Sequence, residues 1–159
     1  MATKKPQRDW TQFTLKIFIR ASQAKVYKAW TNSTELANWF SEKAEIDPKK
    51  GGKLYLEWLA GDKLTTEVTS VSKNRRVLFP FGSRGEKVEV KMLKSGKGTV
   101  CQLRQYDMIT SPAMKWEMHM GCKTGWAFFL ANLKSYLEHG IDLRSHDRKQ
   151  SYRQGFVNS

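Results

Sequence analysis

Cysteine and histidine residues are the first candidates for catalysis or metal binding in this 159-residue sequence. Cys101 and Cys122 lack metal or redox spacing, so they are interpreted as two reduced, buried thiols. His119, His139 and His146 are not clustered in the sequence with carboxylates or cysteines. The sequence also lacks a Gly-x-Ser-x-Gly elbow, a glycine-rich phosphate loop and a dinucleotide fingerprint. We therefore predict no metal, no cofactor and no catalytic residue.

Gln105 and His119 are polar residues that we expect to face the protein interior, where they could orient a ligand. Gln105 shares strand parity with Leu103, and His119 projects near the apolar stripe of a helix. A histidine near a helix start more often caps the helix or lies at the surface, so this alternative stays open. Glu57 and Asp62 are the acids nearest the expected cavity mouth, and both are interpreted as solvated.

Aromatic side chains indicate a binding cavity more strongly than an active site. The chain contains six Trp and eight Phe, and bulky rings are hard to pack without gaps. They either fill the core, as protein interiors do by default, or line a cavity for a small hydrophobic molecule. The candidate cavity residues are Trp39, Phe40, Leu56, Trp58, Phe79, Val90, Leu103, Gln105, His119, Trp126, Phe129 and Leu130.

One long helix is predicted over residues 111–140. Ser111 suits the N-cap, Pro112 the first helical position, and Gly140 the residue just past the end. Six residues at helical spacing form one apolar stripe: Cys122, Trp126, Phe129, Leu130, Leu133 and Leu137. Such a long aromatic stripe needs a broad concave partner to cover it.

The preceding residues predict that partner, because most of them alternate as strands do. Two short helices are expected after the first strand: one capped by Ser22, with Val26, Ala29 and Trp30 on one side, and one at residues 34–40. Strands are expected at residues 10–19, 44–46, 53–58, 63–72, 77–81, 87–93 and 99–106. The predicted fold is therefore α+β, with a curved six- to seven-stranded antiparallel sheet wrapped around the long C-terminal helix.

The net charge of +13 favours association with anionic partners, although charge alone does not define a site. Lys87, Lys91, Lys94, Lys97 and Arg104 fall on two adjacent strands and mostly on the outward face. A solvated basic face is favoured over nucleic-acid binding, because no nucleic-acid motif is present.

No apolar run is long enough to span a membrane and the N-terminus has no signal region, so a cytoplasmic protein is expected.

Three groups of residues resemble a known family. They are IRASQAKVYKAWTNSTELANWF at residues 19–40, the pair Gly51 and Gly52, and Gly125 and Trp126 followed by Leu130 and Leu133. The sequence over residues 13–138 resembles homologues of the activator of heat-shock protein 90 ATPase, within the START-like and birch-pollen-allergen-like superfamily. This resemblance implies the helix-grip fold, in which a curved sheet grips a C-terminal helix and can enclose a ligand.

The sequence leaves three functions open. The first is a non-enzymatic domain that binds a small hydrophobic molecule between sheet and helix, in a stress-related role. The second is a protein-interaction module, for instance with a chaperone, that uses the basic surface. The third is an enzyme similar to the polyketide cyclases and aromatases of the superfamily, which would need Gln105, Tyr106 and His119 to converge.

The chain is predicted to be one helix-grip domain at residues 10–140. A flexible basic N-terminus at residues 1–9 and a basic, solvated or disordered tail at residues 141–159, which includes Arg144, flank it. Tyr152 and Phe156 in the tail could dock elsewhere. Phe128 lies where charged residues are usual in the resembled family and projects away from the apolar stripe, so it is a candidate contact in a homodimer.

Overall fold

The computed structural model describes residues 7–109, 111–150 and 157, which form eight strands and three helices. The strands are β1 Phe13–Ile19, β2 Lys43–Ile46, β3 Lys53–Glu57, β4 Lys63–Glu67, β5 Ser70–Ser72, β6 Arg76–Pro80, β7 Lys87–Ser95 and β8 Gly98–Tyr106. The helices are α1 Gln23–Thr31, α2 Ser33–Trp39 and α3 Lys115–His139. This order, with antiparallel pairing of every adjacent strand, confirms the predicted α+β helix-grip class.

Five strands form the larger sheet in the order β1-β8-β7-β6-β5. Alternation along β7 buries Val88, Val90 and Met92, and the register places Val90 opposite the buried Leu103 of β8. Because successive strand residues point to opposite faces, this pattern makes one face of the sheet apolar. Helix α3 packs on that face through a stripe that includes the buried Trp126.

The strand count differs from the sequence-based prediction because residues 63–72 form two strands. Strands β2, β3 and β4 make a separate three-stranded sheet, whereas β5 belongs to the larger one. At the junction, Val68 donates its backbone N–H to Gly52 beside β3, and Thr69 donates to Leu78 on β6. The chain thus changes hydrogen-bonding partner between two neighbouring residues, and eight strands result instead of six or seven.

Helix α3 begins later than predicted. The Ser111 carbonyl accepts hydrogen bonds from the backbone N–H groups of Met114 and Lys115, so a turn precedes the helix. Met114 occupies the N-cap without a side-chain hydrogen bond, which corrects the assignment of Ser111 as N-cap and Pro112 as first helical residue. The predicted end is confirmed, since Gly140 follows the helix with a left-handed φ of 68°.

Residues just after Gly140 fold back onto the domain. Arg144 is buried, pairs with Asp142 at 2.9 Å and donates to the Ala37 carbonyl. Asn132 of α3 is also buried and donates to both Asp142 and the Trp39 carbonyl. The described start of the predicted solvated tail is therefore packed. The division of the chain at residues 9 and 140 remains a prediction, and Tyr152 and Phe156 lie outside the described residues.

Two classes of feature are absent from the described part of the chain. No helix there combines the length and apolar character needed to cross a bilayer. The same residues contain no group of three or more His, Cys, Asp or Glu side chains that could hold a metal ion. Neither finding identifies a function.

Candidate ligand-binding cleft

An open cleft of about 300 Å³ lies between α3, the β3–β4 turn and the loop after β6. Two buried rings, Phe40 and Trp126, form its floor, stacked with centroids 5.2 Å apart. Three half-buried rings, Trp58, Phe81 and Phe129, form its walls. Its full lining is Phe40, Trp58, Asp62, Phe81, Cys122, Gly125, Trp126 and Phe129. The volume is at the low end for small-molecule sites, which fits one or two fused rings.

Hydrogen bonds hold the two tryptophans of the cleft in place. Trp58 donates its indole N–H to the Phe40 carbonyl at 2.8 Å, which ties the β3–β4 turn to the end of α2. Trp126 donates to the side-chain carbonyl of Gln105 at 2.8 Å, which ties α3 to β8. Because both polar N–H groups have partners inside the protein, the aromatic rings remain available for apolar contact.

Tight turns present the mouth of the cleft. The Trp58 carbonyl accepts the Gly61 N–H at 2.8 Å, and the Trp58 N–H donates to the Asp62 carbonyl at 2.9 Å. Gly61 has a φ of 92°, which favours glycine. Across the mouth, the Phe81 N–H donates to the Glu86 carbonyl at 2.8 Å and closes the loop between β6 and β7. These short loops place Trp58, Asp62 and Phe81 at the entrance.

Cys122 lines the cleft and is influenced by two polar side chains, Gln105 and Glu86. Burial raises the pKa of the Cys122 thiol, a hydrogen bond with Gln105 opposes that effect, and the charge of Glu86 adds to it. A thiol with a raised pKa is a weak nucleophile at neutral pH, so Cys122 is suited to contact a ligand and not to attack it. Cys101 is fully buried in the core, and burial raises its pKa to about 12.

Four of the twelve candidate residues line this cleft, namely Phe40, Trp58, Trp126 and Phe129. Gln105 lies beneath it as the acceptor for Trp126. Six others are buried in the packed core: Trp39, Leu56, Phe79, Val90, Leu103 and Leu130. The aromatic stripe and strand parity place these residues near each other, but parity alone does not separate cleft walls from core filling. Ligand contact by any of them remains a prediction.

Four lining residues were not predicted from the sequence as site residues: Asp62, Phe81, Cys122 and Gly125. Phe81 was predicted as the last residue of the strand at residues 77–81 and was not named among the cavity residues. Gly125 is half-buried, but a Cβ added there would meet no atom within 4 Å. The motif pair of Gly125 and Trp126 was the available signal, because a glycine before a buried tryptophan leaves open space on the helix.

His119 and Tyr106 lie away from the cleft and from each other. His119 is buried between the rings of Trp10 and Phe13, and its Nδ1 lies 3.3 Å from the Trp10 carbonyl oxygen. It borders a different groove of about 650 Å³ between α3 and β1. Tyr106 lies under the Arg104 guanidinium at 4.5 Å. The three residues named for a cyclase-type site thus make separate contacts, and that function stays a prediction.

The predicted basic stripe is partly neutralised by neighbours. Lys87 pairs with Asp107 at 2.6 Å, and Lys91 lies 3.4 Å from Glu89. Lys94 and Lys97 are exposed, on the end of β7 and in the turn after it.

Phe128, the candidate dimer contact, is half-buried with its ring edge-on to Phe129 at 5.5 Å. The homodimer therefore remains a prediction.

Comparison with known proteins supports the fold. Protein SSP2350 from Staphylococcus saprophyticus has a TM-score of 0.75 and 21% identity, covering 84% of this chain and 96% of that one. The Aha1 dimer from Colwellia psychrerythraea has a TM-score of 0.70 and 23% identity, covering 81% and 97%. CalU16 from Micromonospora echinospora has a TM-score of 0.64 and 20% identity, covering 81% and 77%. At these identities, the likenesses show the fold alone.

Family membership follows from the sequence comparison. No curated protein sequence matches the chain significantly. The family model described as activator of Hsp90 ATPase homolog 1-like protein matches residues 20–138, well over half of the chain. That range contains strands β2 to β8 and the whole lining of the cleft. The chain therefore belongs to the family of activator of Hsp90 ATPase homolog 1-like proteins.

Proposed function

We propose that this protein is a non-enzymatic binding domain that holds a small hydrophobic molecule in the aromatic cleft. The observation that carries the proposal is the opening between three half-buried rings and two buried ones. Elsewhere the core is closed, as the full burial of Trp39, Val90 and Leu103 illustrates. Rings held in place by hydrogen bonds, with their apolar surface exposed, are a preformed site for a flat ligand.

Burial of the exposed ring surface supplies the binding energy. Each apolar Å² removed from water contributes about 25 cal/mol, and aromatic pairing adds roughly 0.5–1.5 kcal/mol. A two-ring molecule against Trp58, Phe81 and Phe129 should therefore bind with a dissociation constant on the order of 0.1–1 mM. The natural ligand, with polar groups matched to the cleft, should bind more tightly.

Calorimetric titration with 2-naphthylmethanol tests the proposal. We expect saturable binding of one molecule per chain, with a negative heat-capacity change because apolar surface is buried. A Trp58→Ala variant should bind the probe about tenfold more weakly, since it removes one wall of the cleft. An absence of saturable binding to the wild-type chain, or unchanged affinity in the variant, contradicts the proposal.

A second candidate function is association with an acidic protein surface. The observation that favours it is a groove lined by four basic residues: Arg75, Arg76, Lys91 and Lys94. Two of them, Arg76 and Lys91, pair with Glu89. Because charge-driven association weakens as salt screens it, a pull-down at low and high salt tests this function. Retention of a partner that is lost at high salt and in an Arg75→Glu variant supports it, and no retention at low salt contradicts it.

A further inference from the structure

The charge of the cleft is opposite to that of the chain as a whole. The chain carries 28 basic and 15 acidic residues. None of the residues that line the cleft in the described structure is basic, and Asp62 supplies a carboxylate at its mouth. In a chain with so many lysines and arginines, an aromatic cleft without a basic residue at its rim is poorly suited to an anionic ligand.

A second carboxyl group lies behind the cleft. Glu86 is 2% exposed, and its Oε2 accepts the backbone N–H of Arg84 at 2.9 Å. No basic side chain of the described residues forms an ion pair with it. Its charge acts on Cys122, which lines the cleft. Buried carboxylates are ordinarily paired with a cation, so Glu86 is an unusual feature that the hydrophobic-binding function does not explain.

The aromatic walls provide the remaining contribution. Trp58 lies nearly perpendicular to both Phe40 and Phe81, with interplanar angles of 88° and 85°. A small space between near-perpendicular rings is bounded by ring faces as well as edges. Ring faces carry partial negative charge and attract organic cations, most strongly when water is excluded. Tryptophan is the best residue for this contact, and the cleft has two.

From these three observations we infer that the ligand is an organic cation: a flat apolar body that carries an ammonium group. The inference rests on the proposed function, because it names the chemical class that the same cleft takes. The apolar body lies on the floor formed by Phe40 and Trp126. The ammonium group lies between the wall rings, with Asp62 on the solvent side and Glu86 on the protein side.

Affinity for three naphthalene probes of nearly equal shape tests the inference. The probes are 2-naphthylmethylammonium, neutral 2-naphthylmethanol and anionic 2-naphthoate, titrated by calorimetry at about 0.15 M salt. We expect the cation to bind about tenfold more tightly than the alcohol, from cation–π attraction and the two carboxyl groups. The anion should bind more weakly than the alcohol, despite the net charge of +13.

Two variants connect this preference to the carboxyl groups. Asp62→Asn is an exposed substitution that should lower the cation-to-alcohol affinity ratio to about threefold. Glu86→Gln keeps the shape and the acceptor for Arg84 and should lower the ratio similarly. Glu67→Gln is the matched control, because Glu67 is an exposed acid on β4 outside the cleft lining, and the ratio should stay at about tenfold.

The outcomes separate the inference from the function on which it rests. Equal affinities for cation and alcohol, or tightest binding of the anion, overturn the inference but leave hydrophobic binding in the cleft intact. A cation-to-alcohol affinity ratio that stays at about tenfold in Asp62→Asn also overturns it, and this variant does not depend on the fold tolerating a change at Glu86. Absence of binding by all three probes overturns both the inference and the proposed function.

Discussion

Filling the cleft from α3 should weaken ligand binding while making the helix more stable. Gly125 lines the cleft, and a Cβ built there meets no atom within 4 Å. Gly125→Leu adds four carbon atoms that project into the space above Cys122. A ligand that loses contact with about two methylene equivalents loses roughly 1.6 kcal/mol, so the dissociation constant should rise about 15-fold. Leucine also gains about 0.8 kcal/mol of helix propensity over glycine.

Gly121→Leu is the matched control, since Gly121 lies one turn earlier on α3, is exposed and does not line the cleft. Both variants should raise the melting temperature by a similar few degrees, measured by circular dichroism. Calorimetric titration with 2-naphthylmethanol should show weakened binding for Gly125→Leu alone. Equal affinity in the two variants, with both folded, would refute the assignment of the cleft as the binding site.

Three further predictions concern groups around the cleft and the packed end of the chain. Burial raises the pKa of Asp142, but the hydrogen bonds from Arg144 outweigh this and hold it at about 2. Because the pKa of Asp142 is lower in the folded chain than the ordinary 3.8, its stabilising effect is complete above pH 3.8 and is lost as pH falls toward 2. Arg144→Ala removes this effect, so acid denaturation of the variant should begin at a higher pH than that of the wild-type chain. Gly82→Ala should destabilise the fold by roughly 1–3 kcal/mol in urea unfolding, because Gly82 has a φ of 128° and its Cβ would clash with Glu86; unchanged stability contradicts this. Cys122 should react with iodoacetamide more slowly than a free thiol at pH 7, because burial raises its pKa, and addition of 2-naphthylmethanol should slow the reaction further.

Strand parity predicted the fold well because one face of the larger sheet is buried. A one-residue shift in β7 would bury Glu89 and expose Val90, so the alternation of residue types determines which face is inward. The split at Val68 and Thr69 was not predictable in this way. Both residues are common in strands, and only the change of backbone partner from Gly52 to Leu78 ends one strand and begins another.

The start of α3 shows a limit of local signals. Ser111 and Pro112 are typical of a helix N-terminus, but here the Ser111 carbonyl closes a turn and the helix begins three residues later than predicted. Local residue preferences do not distinguish a turn that leads into a helix from the first turn of the helix itself.

The candidate site was predicted in part. Trp126 and Phe129 follow from helical spacing, Phe40 from the family-like segment at residues 19–40 and Trp58 from the strand at residues 53–58, whereas Glu86 gave no signal. Glu86 lies between Gly85 and Lys87, and a glutamate in such a turn is ordinarily solvated. Its burial depends on how the loop closes through the hydrogen bond from the Phe81 N–H to the Glu86 carbonyl. Arg144 was also expected in solvent. It is buried because its guanidinium pairs with Asp142 and donates to the Ala37 carbonyl, while Asn132 also donates to Asp142.

The most direct measurement of the central claim is the shift of individual indole N–H signals by nuclear magnetic resonance during titration with 2-naphthylmethanol. Trp58 and Trp126 line the cleft, whereas Trp116 is 59% exposed and lies outside its lining, so it serves as an internal reference. The account predicts saturable shifts of the Trp58 and Trp126 signals with one common dissociation constant and no shift of Trp116. Shifts of Trp116 alone, or no shift of the two cleft signals at saturating probe, would contradict it.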